Sequence, residues 1–105
     1  MELSIYWTNF AEKELEKIFK YHKEKASYQI AKKLVKGIYG ATIKLKTQPR
    51  IGQVEPILKE RSQEFRHLIY RNYKIIYWLN TNKNQIEIFD VFDTRQNPTK
   101  IKRTK

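Results

Sequence analysis

The sequence predicts an α+β domain of order βααβββ, an antiparallel helix pair packed on one face of a mainly antiparallel four-stranded sheet. Three observations predict it. Apolar residues recur at helical spacing from Ala11 to Leu45. From Phe65 onward the period changes, and three segments dense in Ile, Tyr, Phe and Trp alternate with turn residues. A short alternating segment precedes both halves. At 105 residues the chain has room for one core and not two.

Leu3 to Trp7 is short, alternating and β-prone, and reads as the first strand. Asn9, with Glu12 three residues on, forms a capping-box pattern that starts the first helix. Ala11, Leu15, Ile18 and Phe19 give it an apolar face, and it runs to about Glu24. Ser27 caps a second helix whose stripe is Ile30, Leu34, Ile38, Ala41 and Leu45, and Pro49 stops it. The short connection predicts antiparallel helices. Gly37 and Gly40 lie inside the second helix against propensity, so close packing against a neighbour is expected there. Residues 50–64, with Gly52 and Pro56, form an irregular link. Strands are expected at Phe65–Tyr70, Tyr73–Leu79 and Ile86–Phe92, with turns at Arg71-Asn72 and Thr81 to Asn84. The domain is expected to span 1–98, with a basic tail over 99–105.

Lys and Arg total 22 against 11 Asp and Glu, a net charge of +11. Hydrophobic residues at 40% and aromatic residues at 13% are too plentiful for a disordered polycation. The charge is unevenly placed. Residues 25–54 hold seven bases and no acid, residues 94–105 hold five bases and no acid, and the rest is near neutral. Such clustering attracts an anionic partner. The absence of Cys excludes disulfides and thiolate chemistry, and with two His neither a metal site nor a cofactor is expected. Met-Glu-Leu-Ser lacks a basic n-region and no apolar run has transmembrane length, so a cytoplasmic location without membrane contact is expected.

The order of elements, with Glu64-Phe65-Arg66-His67-Leu68, Tyr73-Lys74-Ile75-Ile76-Tyr77 and Val91-Phe92-Asp93-Thr94-Arg95-Gln96-Asn97-Pro98, resembles the RelE/ParE superfamily, the toxins of bacterial type II toxin–antitoxin pairs. The resemblance runs from Trp7-Thr8 to Asn97-Pro98. It implies a growth-inhibiting toxin neutralised by a cognate antitoxin in a hetero-oligomer. Two activities occur in the superfamily: RelE-like members cut mRNA on the ribosome, and ParE-like members inhibit DNA gyrase.

Metal-free RNA cleavage needs a group to deprotonate the ribose 2′-OH, cations for the phosphorane and an acid for the leaving oxygen. The resemblance supplies five candidates should the protein be a nuclease: Glu55 as base, Arg66, Lys74 and Arg95 as cations, and Asp93 where nuclease members carry His. An exposed Asp is a poor donor at neutral pH, and Lys74 lacks the bidentate fork of the Arg usual at its place. The Asp-Thr-Arg-Gln-Asn-Pro ending is similar to that of ParE-like members, so the reading leans to gyrase inhibition. A plain nucleic-acid-binding module is a further alternative.

Bland roles stand beside these. Glu55 also reads as a surface acid, Arg66 as a cross-strand partner of Glu87 or Asp90, Asp93 and Arg95 as an ion pair, His67 as a packed histidine and His22 as a helix-surface residue. Lys32, Lys33, Lys36, Lys44 and Lys46 make the second helix and its exit acid-free. Since a solvated helix usually mixes signs, they are expected to face a partner.

Overall fold

The computed structural model describes residues 3–96 and 98–103, so Asn97 of the final motif lies outside the described residues, as do Thr104 and Lys105 of the tail. Strand β1 (Ser4–Trp7) leads into helices α1 (Asn9–Lys25) and α2 (Tyr28–Ile43). A 3-10 turn at Lys44–Lys46 and the link follow. Then come β2 (Gln53–Val54), β3 (Arg66–Tyr70), β4 (Tyr73–Asn80) and β5 (Gln85–Asp93). Among the described residues the sheet has five strands in the order β1-β5-β4-β3-β2, with β1 parallel to β5 and every other pairing antiparallel. The additional strand is β2, two residues of the link paired with His67 and Arg66. Flanked by Gly52 and Pro56, it is too short to leave a sequence pattern.

Thr8, rather than Asn9, caps α1. Its Oγ1 accepts the Ala11 N–H at 3.1 Å and donates to the Ile88 carbonyl at 2.9 Å, so the cap also fastens the helix to β5. Ser27 caps α2 by accepting the Ile30 N–H at 3.1 Å, as expected. The α2 stripe is shifted by one residue from the expected one at two places. Ala31 and Thr42 are buried with Leu34 and Ile38, while Ile30 is 54% exposed.

Gly37 meets the predicted close approach. A Cβ there would collide with the Tyr70 ring and hydroxyl, whereas a Cβ at Gly40 would meet nothing within 4 Å. Only the first glycine is therefore explained by packing.

The core between helices and sheet contains Ala11, Leu15, Leu34, Ile38, Ile75 and Ile88 among others. A second cluster covers the opposite face, where Leu58, Phe65, Ile76, Phe89, Phe92 and Ile101 meet. A bulge in β5 adds Phe92 to it. The register passes from Tyr77 opposite Ile88 to Ile76 opposite Asp90, leaving Phe89 as the extra residue. The bulge switches parity, so Ile86, Ile88 and Val91 face the helices while Phe92 joins the second cluster. Pro98–Arg103 forms a 3-10 turn that brings the fully buried Ile101 onto this face.

Candidate functional site

The five residues proposed for catalysis fall in three places. Two of them, Glu55 and Lys74, meet on the sheet face opposite the helices. Glu55 precedes Pro56, and its Oε2 accepts the Ile57 N–H at 3.2 Å, capping a 3-10 turn over Pro56–Leu58. Its Oε1 accepts from Lys74 Nζ at 3.0 Å. His67 Nδ1 approaches the same oxygen to 3.0 Å without the alignment of a hydrogen bond. Glu55 is 0% exposed, so it is a buried carboxylate and not a surface acid. Both of its oxygens are engaged, and in this conformation it offers nothing to a ligand. The sequence reading did not place His67 in this group. Strand parity carries that signal: His67 and Lys74 both sit out of phase with the helix-facing Leu68 and Ile75. Burial is the main influence lowering the His67 pKa, the Lys74 charge lowers it further, and Glu55 opposes both.

Arg66 stands apart from that cluster. Its Nε and Nη2 grip Glu64 Oε2 at 2.9 and 2.6 Å, while Nη1 donates to the Gly52 carbonyl at 2.8 Å and the Arg50 carbonyl at 3.3 Å. These bonds replace the expected cross-strand pairing with Glu87 or Asp90. Arg66 pins the link to the sheet, and its cross-strand partner Tyr77 does the same from the same face. The Tyr77 hydroxyl donates to the Pro49 carbonyl at 2.8 Å and accepts the Gly52 N–H at 3.0 Å.

Asp93 and Arg95 form the third group, at the end of β5. Asp93 Oδ1 accepts from Arg95 Nε at 3.0 Å, and Oδ2 accepts from Arg95 Nη2 at 2.8 Å. The Arg95 N–H and Asn72 Nδ2 add bonds of 2.9 and 3.3 Å to Oδ1. The Arg95 side-chain bonds are the largest influence on Asp93, overcome the opposing effect of burial and hold its pKa down at about 2. This pair borders a cleft of about 370 Å³ with Lys17, Tyr21 and Tyr73. His22, expected on the helix surface, is half-buried, and its Nε2 lies 2.9 Å from the Tyr73 hydroxyl in a hydrogen bond. Burial is the main influence raising the Tyr73 pKa. At pH 7 the three catalytic roles are therefore not assembled at one place by these five residues.

The five lysines do not form one patch. Lys32, Lys33, Lys36 and Lys44 are exposed and Lys46 is half-buried. Lys33 lines a cleft against the β3–β4 turn, and Lys46 lines another beside β1. Between α1 and α2 runs an apolar groove of about 260 Å³ formed by Leu15, Phe19, Val35 and Tyr39 with Glu12, Glu16 and Lys20 at its edge. Among the described residues no group of three or more His, Cys, Asp or Glu is arranged to hold a metal ion. No described helix is long and apolar enough to cross a membrane.

A helix hairpin on one face of a sheet whose first strand lies parallel to its last is the RelE/ParE-like α+β fold. Solved structures share it. The chromosomal ParDE toxin–antitoxin system from P. aeruginosa matches with a TM-score of 0.72 at 20% identity, covering 88% of this chain and 96% of that one. The toxin–antitoxin complex RelBE2 from Mycobacterium tuberculosis matches with a TM-score of 0.54 at 17% identity, covering 89% of this chain and 99% of that one. A comparison with curated proteins gives no match. Residues 5–98 match the family model described as the ParE toxin of type II toxin–antitoxin system, parDE. The chain belongs to the ParE toxin family, within the RelE/ParE superfamily of type II toxins.

Proposed function

We propose that this toxin arrests bacterial growth in the cytoplasm by inhibiting DNA gyrase, and that a cognate antitoxin neutralises it in a hetero-oligomer. The observation that carries the gyrase reading is the Asp93–Arg95 pair. At the place where the resemblance puts the proton donor of nuclease members, Asp93 has a pKa of about 2 and holds no proton at neutral pH. The burial of Glu55 supports the same reading, because a general base must reach the hydroxyl it deprotonates. The antitoxin reading draws support from the α1–α2 groove, which suits an amphipathic segment that folds on contact. Lys32, Lys33, Lys36, Lys44 and Lys46 would speed the approach of an acidic one.

A second reading, metal-independent cleavage of mRNA on the ribosome, is favoured by the meeting of Glu55, His67 and Lys74, since a carboxylate, an imidazole and an ammonium are the groups such chemistry uses. Induction in a bacterial host, with gyrase supercoiling assayed and mRNA 5′ ends mapped in parallel, separates the two. Blocked supercoiling with intact mRNA is expected. Codon-phased cuts with normal supercoiling would replace the gyrase reading by the nuclease one, and undisturbed growth would overturn both.

A further inference from the structure

The cleft between α2 and the β3–β4 turn differs from its neighbours in charge. The cleft at the end of β5 sets Glu14 and Asp93 against Lys17 and Arg95 and so cancels. The cleft of about 360 Å³ beside α2 is lined by Lys33, Arg71, His22 and Asn72 with Ile30 and Leu34, and contains no carboxylate. Neither Lys33 nor Arg71 has an ion-pair partner among the described residues.

The packing that sets these two cations together is specific. Gly37 is one helical turn from Lys33 on α2, so both lie on the same side of that helix. The Tyr70 ring fills the space that a Cβ on Gly37 would need, which draws the end of β3 against α2. Arg71 follows directly, and its guanidinium carbon lies 5.7 Å from the centre of the Tyr70 ring. Arg71 is also held at φ 55°, a left-handed conformation that Asn or Gly adopts more easily. A local turn preference does not account for arginine at that position.

We infer that this cleft is a docking site for a nucleic-acid backbone phosphate, held between the Arg71 guanidinium and the Lys33 ammonium, with the apolar Ile30 and Leu34 wall against the sugar. The planar fork of arginine binds two phosphate oxygens at once, and lysine adds a compact charge. Exposed Lys32 and Lys36 continue the positive row along α2, whose first turn carries no acid. An apolar peptide has a better place in the α1–α2 groove, whose Leu15, Phe19, Val35 and Tyr39 are edged by charges of both signs, Glu12, Glu16 and Lys20. The inference holds whichever target the toxin poisons. An antitoxin lying along α2 would compete for Lys33.

Fluorescence anisotropy of the full chain with short end-labelled oligodeoxythymidylate and oligouridylate, across a salt series, tests it. Arg71→Asn keeps the turn and removes the fork, and Lys33→Gln removes the ammonium. Each is expected to weaken binding by about tenfold and to lower the salt slope by about 1. Lys83→Ala, on the distant β4–β5 turn, controls for net charge and is expected to change affinity less than about twofold. Preference for the deoxy or the ribo strand, given that dependence, assigns DNA or RNA as the source, and equal binding assigns the backbone alone. Losses no greater than that of Lys83→Ala, or no binding at low salt, overturn the site. Binding of polyglutamate but of neither oligonucleotide, with the same dependence, overturns it in favour of an acidic protein.

Discussion

Lys74 Nζ lies 3.0 Å from Oε1 of Glu55, a carboxylate wholly removed from solvent. The two residues belong to an irregular link and a central strand, so their contact decides whether the link stays seated. Removing one partner of a buried pair leaves the other uncompensated. Glu55→Ala is expected to cost about 3 kcal/mol, moderated by the partial exposure of Lys74, and loses the cap on Pro56–Leu58 as well. Urea unfolding of Glu55→Ala, Lys74→Met and the double variant checks it. Additive losses would show that the contact carries no coupling.

His67 should make stability pH-dependent. Its pKa lies below 6.5 in the folded chain, mainly through burial, so the unfolded chain takes up the proton first. Its contribution is complete above about pH 6.5 and is lost as pH falls toward the folded value. The midpoint of urea unfolding is expected to drop between pH 7 and pH 5.5 in the parent and to drop less in His67→Gln. An unchanged slope in the variant would assign the dependence to other groups.

Asp93 should titrate at about 2 by carboxyl NMR, and Arg95→Ala should return it toward 3.8. Because the folded value is depressed, the stability this carboxylate contributes is present above about pH 4 and lost as pH falls through 2. A value that stays near 2 without Arg95 would locate the cause in Asn72 and the backbone.

The two α2 glycines should respond in opposite directions. Gly40→Ala meets open space and is expected to stabilise by about 0.5–1 kcal/mol through helix propensity. Gly37→Ala gains the same propensity but drives a methyl into Tyr70, for a net loss of about 1–2 kcal/mol. Thermal melts compare them, and Tyr70→Ala should relieve the clash in Gly37→Ala. Equal shifts for both glycines would mean that Tyr70 does not press on the helix.

Ile101→Ala should cost about 2–4 kcal/mol, because the side chain is fully buried against Leu58, Phe65 and Phe92. The loss would be read in the urea midpoint. A change below about 0.5 kcal/mol would show that the segment beyond Pro98 is dispensable.

The helices and the three long strands were legible because periodicity reports burial on one face, and Ser27 was legible because a cap is a local bond. The Asp93–Arg95 pair was within reach for the same reason: two residues separate its partners. Other features arise from tertiary contact. Whether Ile30 or Ala31 faces inward depends on how α2 is rotated against its neighbours. The bulge at Phe89 reverses an alternation that the sequence alone continues unbroken through Asp90 and Phe92. The burial of Glu55 depends on Lys74 and His67, which reach it from strands distant in sequence. Composition does not reveal that a charge has found its partners.

The pairing of β1 with β5 has a consequence for synthesis. Among the described residues β5 is the strand with which β1 pairs in the sheet, so that pairing waits until Gln85–Asp93 has been made, although Trp7 can already pack on Tyr39 of α2. The helices can form as they leave the ribosome, but β5 is then still to be translated or lies within the exit tunnel. A chain interrupted before Gln85 keeps its hairpin of helices without a finished sheet beneath it. The β1–β5 pairing that closes this side of the sheet therefore forms only once Gln85–Asp93 has emerged.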